Sequence, residues 1–155
     1  MSKHEDHSEP SLLPFQVTPV VRDTCLCLHL QRAARAIARQ FDTALRPVGL
    51  TNGQFSLLMS LNRPEAPLMR DVSQLLAMDR TSLTAMLKPL ERRELVEIKP
   101  DPRDKRGRRL EITDAGRTLL TQAMPIWTAT HNLIEGQLPS GTVPEQLRTV
   151  LKTLS

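Results

Sequence analysis

Tyrosine is absent from this chain, and other aromatics are scarce: one Trp and three Phe in 155 residues. Modules that grip single-stranded nucleic acid interleave aromatic platforms with cations. RNA-binding sheets likewise stack bases on aromatics. This composition disfavours both. Cys25 and Cys27 are the only cysteines. No apolar run approaches the ~20 residues that span a bilayer. Met1 to Pro10 lacks the basic-then-apolar order of a secretory signal, so a cytoplasmic location without a membrane partner is expected. No Ser/His/Asp spacing and no phosphate-cradling glycine loop is present, which argues against an enzyme. The His4-x-x-His7 pair stands alone near the start, and His29, His131, Cys25 and Cys27 do not have zinc spacing. Neither metal nor cofactor is expected.

What the chain does have is a concentrated positive charge. Residues 63–117 carry 13 Lys or Arg against 10 Asp or Glu, a net of +3 within a total of +4. Six of these cations lie between Lys99 and Arg109, around Gly107. Short alternating apolar runs flank them, Leu95-Val-Glu-Ile98 and Leu110-Glu-Ile112. Alternation on both sides of a turn-rich basic tip predicts a β-hairpin. A localised basic surface of this kind is the footprint of a nucleic-acid partner. With stacking platforms lacking, duplex DNA is favoured.

Helical signals surround the hairpin. Leu26, Leu30, Ala33, Ile37, Phe41 and Ala44 recur at steps of three or four and predict one helix from Val20 to Arg46, ended by Pro47 and Gly49. Thr51-Asn-Gly-Gln54 has capping-box spacing and opens a second helix with Phe55, Leu58 and Leu61 inward. A third, Leu68 to Ala77, carries Val72, Leu75 and Leu76 as its buried stripe. Asp79 suits the N-cap of a fourth, Arg80 to Arg93, which Pro89 should bend. Thr113 caps a fifth helix reaching Gly136, with Asp114 in its first turn. A last helix spans Val143 to Leu154. The third and fourth helices form a helix-turn-helix, and the hairpin is its wing. The fold class is therefore mainly α with a small β-hairpin wing. The expected organisation is a flexible arm (1–19), a first dimerisation helix (20–48), a winged helix-turn-helix (49–112) and C-terminal dimerisation helices (113–155). The terminal helices are too apolar to stand alone in water, and a second copy is their natural partner.

Three segments together resemble the MarR family of bacterial transcription regulators. They are Gly49-Leu-Thr-Asn-Gly-Gln-Phe55, the run from Met78 to Val96, and Asp101-Pro-Arg-Asp-Lys-Arg106 followed by Leu110-Glu-Ile-Thr-Asp-Ala-Gly116. The resemblance implies a homodimer on pseudo-palindromic duplex DNA, with the fourth helix in the major groove and the wing in the adjacent minor groove. Thr81, Ser82 and Thr84 are short and polar and suit bases, thymine methyls or phosphates near the start of that helix. Arg80 and Lys88 reach phosphates or base edges. Arg106 suits a narrow minor groove, where negative potential is concentrated. Arg103, Lys105, Arg108 and Arg109 are candidates for phosphates, and Asp104 for a brace that orients a wing Arg. The family commonly has Gly where this chain has Glu94, and a left-handed Glu costs ~1 kcal/mol.

Cys27-Leu-His-Leu-Gln-Arg-Ala-Ala-Arg35 resembles the first helix of the family's peroxide-sensing branch, although that branch supports its thiol with Tyr, which is missing here. Two residues apart on one helix, Cys25 and Cys27 diverge by about 200°, so a disulfide between them requires unwinding. They are either redox sensors or small apolar residues in an interface. Relatives release DNA when a small aromatic or lipophilic acid binds between the dimer arm and the winged helix. Phe41, Arg46, Phe55, Met59 and Trp127 are candidates for such a pocket. The competing functional class is a winged-helix protein-interaction scaffold without specific DNA binding.

Overall fold

The computed structural model describes residues 12–154. In chain order the elements are α1 (Val17–Thr24), α2 (Leu26–Leu45), a short 3-10 turn (Arg46–Val48), α3 (Asn52–Ser60), α4 (Met69–Leu75), α5 (Arg80–Arg92), β1 (Val96–Pro100), β2 (Arg108–Ile112), α6 (Asp114–Gly136) and α7 (Pro144–Lys152). The chain divides into two compact units, with the boundary between Ala36 and Ile37 inside α2.

In the N-terminal unit the single helix expected from Val20 is two. Cys25 adopts φ −70°, ψ 103° and interrupts the helical run. Its thiol accepts from the Leu28 amide at 3.4 Å, so a sulfur takes the place of a capping oxygen at the start of α2. The His29 ring bonds the Cys25 carbonyl at 2.8 Å. The two cysteines therefore do not share one uninterrupted helix, and both are free thiols. Helix begins at Val17, within the stretch expected to be a flexible arm, because Pro19 falls in the first turn, where no amide hydrogen is needed. The rest of that arm, residues 1–11 with His4 and His7, lies outside the described residues.

The second unit is built around leucines. Leu45, Leu57, Leu58, Leu83, Leu87, Leu90 and Leu110 are fully buried, with Val72 and Val96. The capping box opens α3 as the spacing predicts: the Gln54 amide donates to the Thr51 hydroxyl at 3.2 Å, and the Gln54 side chain accepts from the Thr51 amide at 3.1 Å. Leu75 does not join the buried stripe of α4. It is 58% exposed, because this seven-residue helix turns Val72 to the core and Leu75 toward a cleft beside α3 and α6.

The hairpin is longer than expected, with Val96 opposite Ile112, Ile98 opposite Leu110 and Pro100 opposite Arg108. Pro100 is tolerated because it ends its strand. Two left-handed residues flank α5: Ala77 at φ 50° before it and Glu94 at φ 57° after it. Glu94 has the conformation that its usual glycine foreshadowed. Gly116 is required by close approach. A Cβ there would lie 2.4 Å from the Leu95 carbonyl oxygen and 2.7 Å from Ile112 Cγ1. The start of α6 thus lies directly against the base of the wing.

Candidate nucleic-acid interface

Asp79 fixes the first turn of α5. Its carboxylate accepts from the Ser82 amide at 2.8 Å and from the Ser82 hydroxyl at 2.7 Å. The hydroxyl bond, then the amide, holds the Asp79 carboxyl below its ordinary value. Ser82 is therefore occupied with capping. The Thr84 hydroxyl is also satisfied, donating to the Arg80 carbonyl at 2.7 Å, which leaves its methyl group as the more available contact. Arg80, Thr81 and Lys88 are exposed on the same helix, and none of them is in an ion pair among the described residues.

The wing tip is set by two aspartates with different duties. Asp104 was expected to orient a wing arginine. Instead its carboxylate accepts from the backbone amide of Arg106 at 2.9 Å, while its carbonyl accepts from Gly107 at 2.8 Å. Asp101 is the brace. Only 6% exposed, it accepts from Arg109 Nε at 2.9 Å and from the Arg103 amide at 3.3 Å. The Arg109 guanidinium holds its carboxyl below the ordinary value, with the Arg103 amide helping. Arg109 itself, expected among the phosphate contacts, is turned inward. It also donates to the Ala66 carbonyl at 2.7 Å, and the Leu110 amide donates to the Pro67 carbonyl at 3.0 Å. These bonds tie the wing to the segment before α4.

Arg103, Lys105, Arg106 and Arg108 are exposed around the tip. Arg108 is oriented by Nη1 bonds to the carbonyls of Lys105 (3.0 Å) and Gly107 (3.1 Å). Between wing and helix-turn-helix runs a groove of about 540 Å³, lined by Arg70, Arg80, Arg106 and Arg108 among others. Asp101 and Asp104 also line it. Sequence reasoning missed Asp101 and Arg70. The observed register sets Lys99 opposite Arg109 and bonds Asp101 to Gly107, so Asp101 reaches Arg109 diagonally, and no sequence signal marks that pair. Nothing local in the sequence brings Arg70 of α4 to the wing.

A second cleft, of about 590 Å³, contains three of the five residues expected to line an effector pocket: Phe55, Met59 and Trp127. Arg63, Asn62, Ser56 and Ser60 supply its polar lining. Phe41 is buried behind it, stacked with Trp127 at a 6.3 Å centroid separation. Arg46 is exposed in the 3-10 turn and does not line it. Trp127 stacks on His131 at 4.7 Å. His131 Nε2 lies 3.2 Å from Glu135, which Arg148 of α7 also pairs. Among the described residues no cluster of metal-ligating side chains occurs, and no helix is long and apolar enough to cross a membrane.

A helix-turn-helix with a basic two-stranded wing tied to its flank defines a winged-helix regulator of transcription. The family profile that matches is that of the MarR family, over residues 48–107. Mycobacterium tuberculosis MosR, solved in complex with DNA, superposes with a TM-score of 0.74 at 32% identity, over 83% of this chain and 92% of that one. CouR, described as a transcriptional repressor bound to a 23-mer DNA duplex, has a TM-score of 0.73 at 28% identity, over 86% and 94%. BadR of Rhodopseudomonas palustris, named a transcriptional activatory protein, is 29% identical over 133 residues, 83% of this chain and 76% of that one. The chain belongs to the MarR family.

Proposed function

We propose that two copies of this chain bind one pseudo-palindromic duplex site and repress transcription there. A small aromatic or lipophilic acid in the cleft beside Trp127 releases the complex. The observation that carries the reading is the juxtaposition of Arg80, on the first turn of α5, with Arg106 and Arg108 of the wing around a single groove. Helix α5 has the outward polar residues to enter a major groove, while a wing arginine suits the minor groove beside it. The likeness to CouR, a repressor bound to a DNA duplex, supports the sign of regulation. The likeness to MosR and CouR, both solved on DNA, favours a duplex over a protein-binding scaffold.

Apolar surface supports the second copy. In the N-terminal unit Val20, Val21 and Leu26 are exposed; separately, α7 exposes Leu147, Val150 and Leu151. Residues 20–48 and 113–155 are accordingly assigned to dimerisation and 49–112 to DNA. The effector reading rests on the aromatic cleft with Arg63 in its lining; CouR of Rhodococcus jostii, solved with p-coumaroyl-CoA, supports an aromatic acyl group as the bound moiety, though there it is a thioester and not a free acid.

The test is footprinting of the purified protein on the promoter beside its own gene, with anisotropy titrations against that fragment and random duplex. Two protected half-sites about one helical turn apart are expected. Trp127 is the sole tryptophan, so its fluorescence should change when aromatic carboxylates that release the DNA are added. A monomer in solution, or equal affinity for promoter and random duplex, refutes the reading.

A further inference from the structure

The geometry points to Arg70, on α4, as a phosphate-gripping residue that closes the groove between wing and helix-turn-helix onto the DNA strand passing through it. The inference rests on the DNA-binding reading above and adds a contact that neither the basic wing nor α5 supplies.

If α5 occupies a major groove and the wing tip the adjacent minor groove, one sugar–phosphate strand separates the two. That strand has to pass between α5 and the wing, which is where the groove of about 540 Å³ lies. Its walls carry Arg80 from α5, Arg106 and Arg108 from the wing, and Arg70 from α4. The carboxylates within it are already engaged: Asp101 accepts from Arg109 and the Arg103 amide, and Asp104 accepts from the Arg106 amide. Neither is left to repel a phosphate at full strength.

Arg70 is 78% exposed at its side chain. Among the described residues its one ion pair is a 3.2 Å contact with the neighbouring Asp71, itself half exposed. Pairs of this kind are worth little in water, so a phosphate displaces Asp71 at small cost. Arg108 is pre-oriented by two carbonyls, and the Arg109 ties to Asp101 and Ala66 fix the wing relative to the segment that leads into α4. Arg70 and Arg108 thus face the strand from two different elements. A contact of this type positions the duplex without reading its sequence.

The experiment measures affinity of the full-length protein for its mapped operator and for random duplex across a salt series, comparing wild type with Arg70→Ala, Arg70→Lys and Arg46→Ala. Each phosphate contact contributes a slope of about 0.9 in log affinity against log salt. Because the dimer carries two copies of Arg70, Arg70→Ala should flatten the slope by about 1.8 and weaken both duplexes by the same factor, roughly sixtyfold at 0.1 M salt. Arg70→Lys should keep the slope. Arg46→Ala, which removes the same charge outside the groove, should leave the slope unchanged. An unaltered slope in Arg70→Ala, or weakening confined to the operator, overturns the inference while leaving the DNA-binding reading intact. Wild-type protein that binds no duplex at low salt overturns that reading itself. Far-UV circular dichroism confirms that the exposed substitution leaves the fold in place.

Discussion

Replacing Gly116 by Ala tests how the wing is joined to the body of the domain. The added methyl would sit 2.4 Å from the Leu95 carbonyl oxygen and 2.7 Å from Ile112 Cγ1. The first obstacle is backbone, and that same carbonyl accepts the Thr113 amide at 3.1 Å. It cannot swing away as a flexible side chain would. Forced overpacking costs about 1–3 kcal/mol, and a backbone obstacle belongs at the upper end. Alanine returns up to ~1 kcal/mol through helix propensity and a less flexible unfolded chain. The net loss is about 2 kcal/mol, which at this chain length lowers Tm by about 4–8 °C. The displacement falls where Leu95 leads into β1, so operator affinity should drop as well. Gly136, in the last turn of the same helix, is the control. Nothing lies within 4 Å of a Cβ there, and Gly136→Ala should be neutral or stabilising by up to ~1 kcal/mol. Thermal melts at equal protomer concentration, which dimerisation requires, decide the matter. A Gly116→Ala protein melting within about a degree of wild type would refute the close-approach argument.

Four further outcomes follow from α5 with its two ends and from the wing. Ala77→Gly and Glu94→Gly should each stabilise the protein by about 0.5–1 kcal/mol in urea titrations, since a left-handed non-glycine residue costs 1–2 kcal/mol and glycine entropy takes part of it back. The carboxyls of Asp79 and Asp101 are both held below 3.8 in the fold, by the Ser82 hydroxyl and the Arg109 guanidinium respectively. Their stabilisation is complete above that unfolded value and is lost as pH falls through the lower folded values. Unfolding free energy should therefore decline in acid below about pH 4, and Asp79→Ala should flatten that decline. Ser82→Ala should lower stability and leave operator preference unchanged, because its hydroxyl serves Asp79. Thr81→Ala should alter which duplexes are preferred in a binding-site selection. A shift of preference in Ser82→Ala would contradict the capping assignment.

Much of this protein is written locally. The capping box at Thr51, the caps at Asp79 and Thr113, and the alternation on both sides of Gly107 depend on neighbours a few residues away. Short-range rules therefore recover the order of elements and the basic wing. The left-handed turn at Glu94 was foreshadowed only by the family resemblance, which commonly has Gly there. The break at Cys25 was not legible: no proline or glycine marks it, and only the backbone turn with its thiol cap separates α1 from α2. Nor could Arg109 be told from its basic neighbours by sequence. Its guanidinium is drawn inward because the fold brings it to Asp101 and to Ala66, 43 residues away. Arg70 enters the groove for the complementary reason, through the packing of α4 beside the wing. Composition and spacing alone determined that the chain is a basic winged helix-turn-helix. Which of its cations line the groove and which hold the wing in place was decided by tertiary contact, because charge is a property of a residue, whereas its direction is a property of the fold.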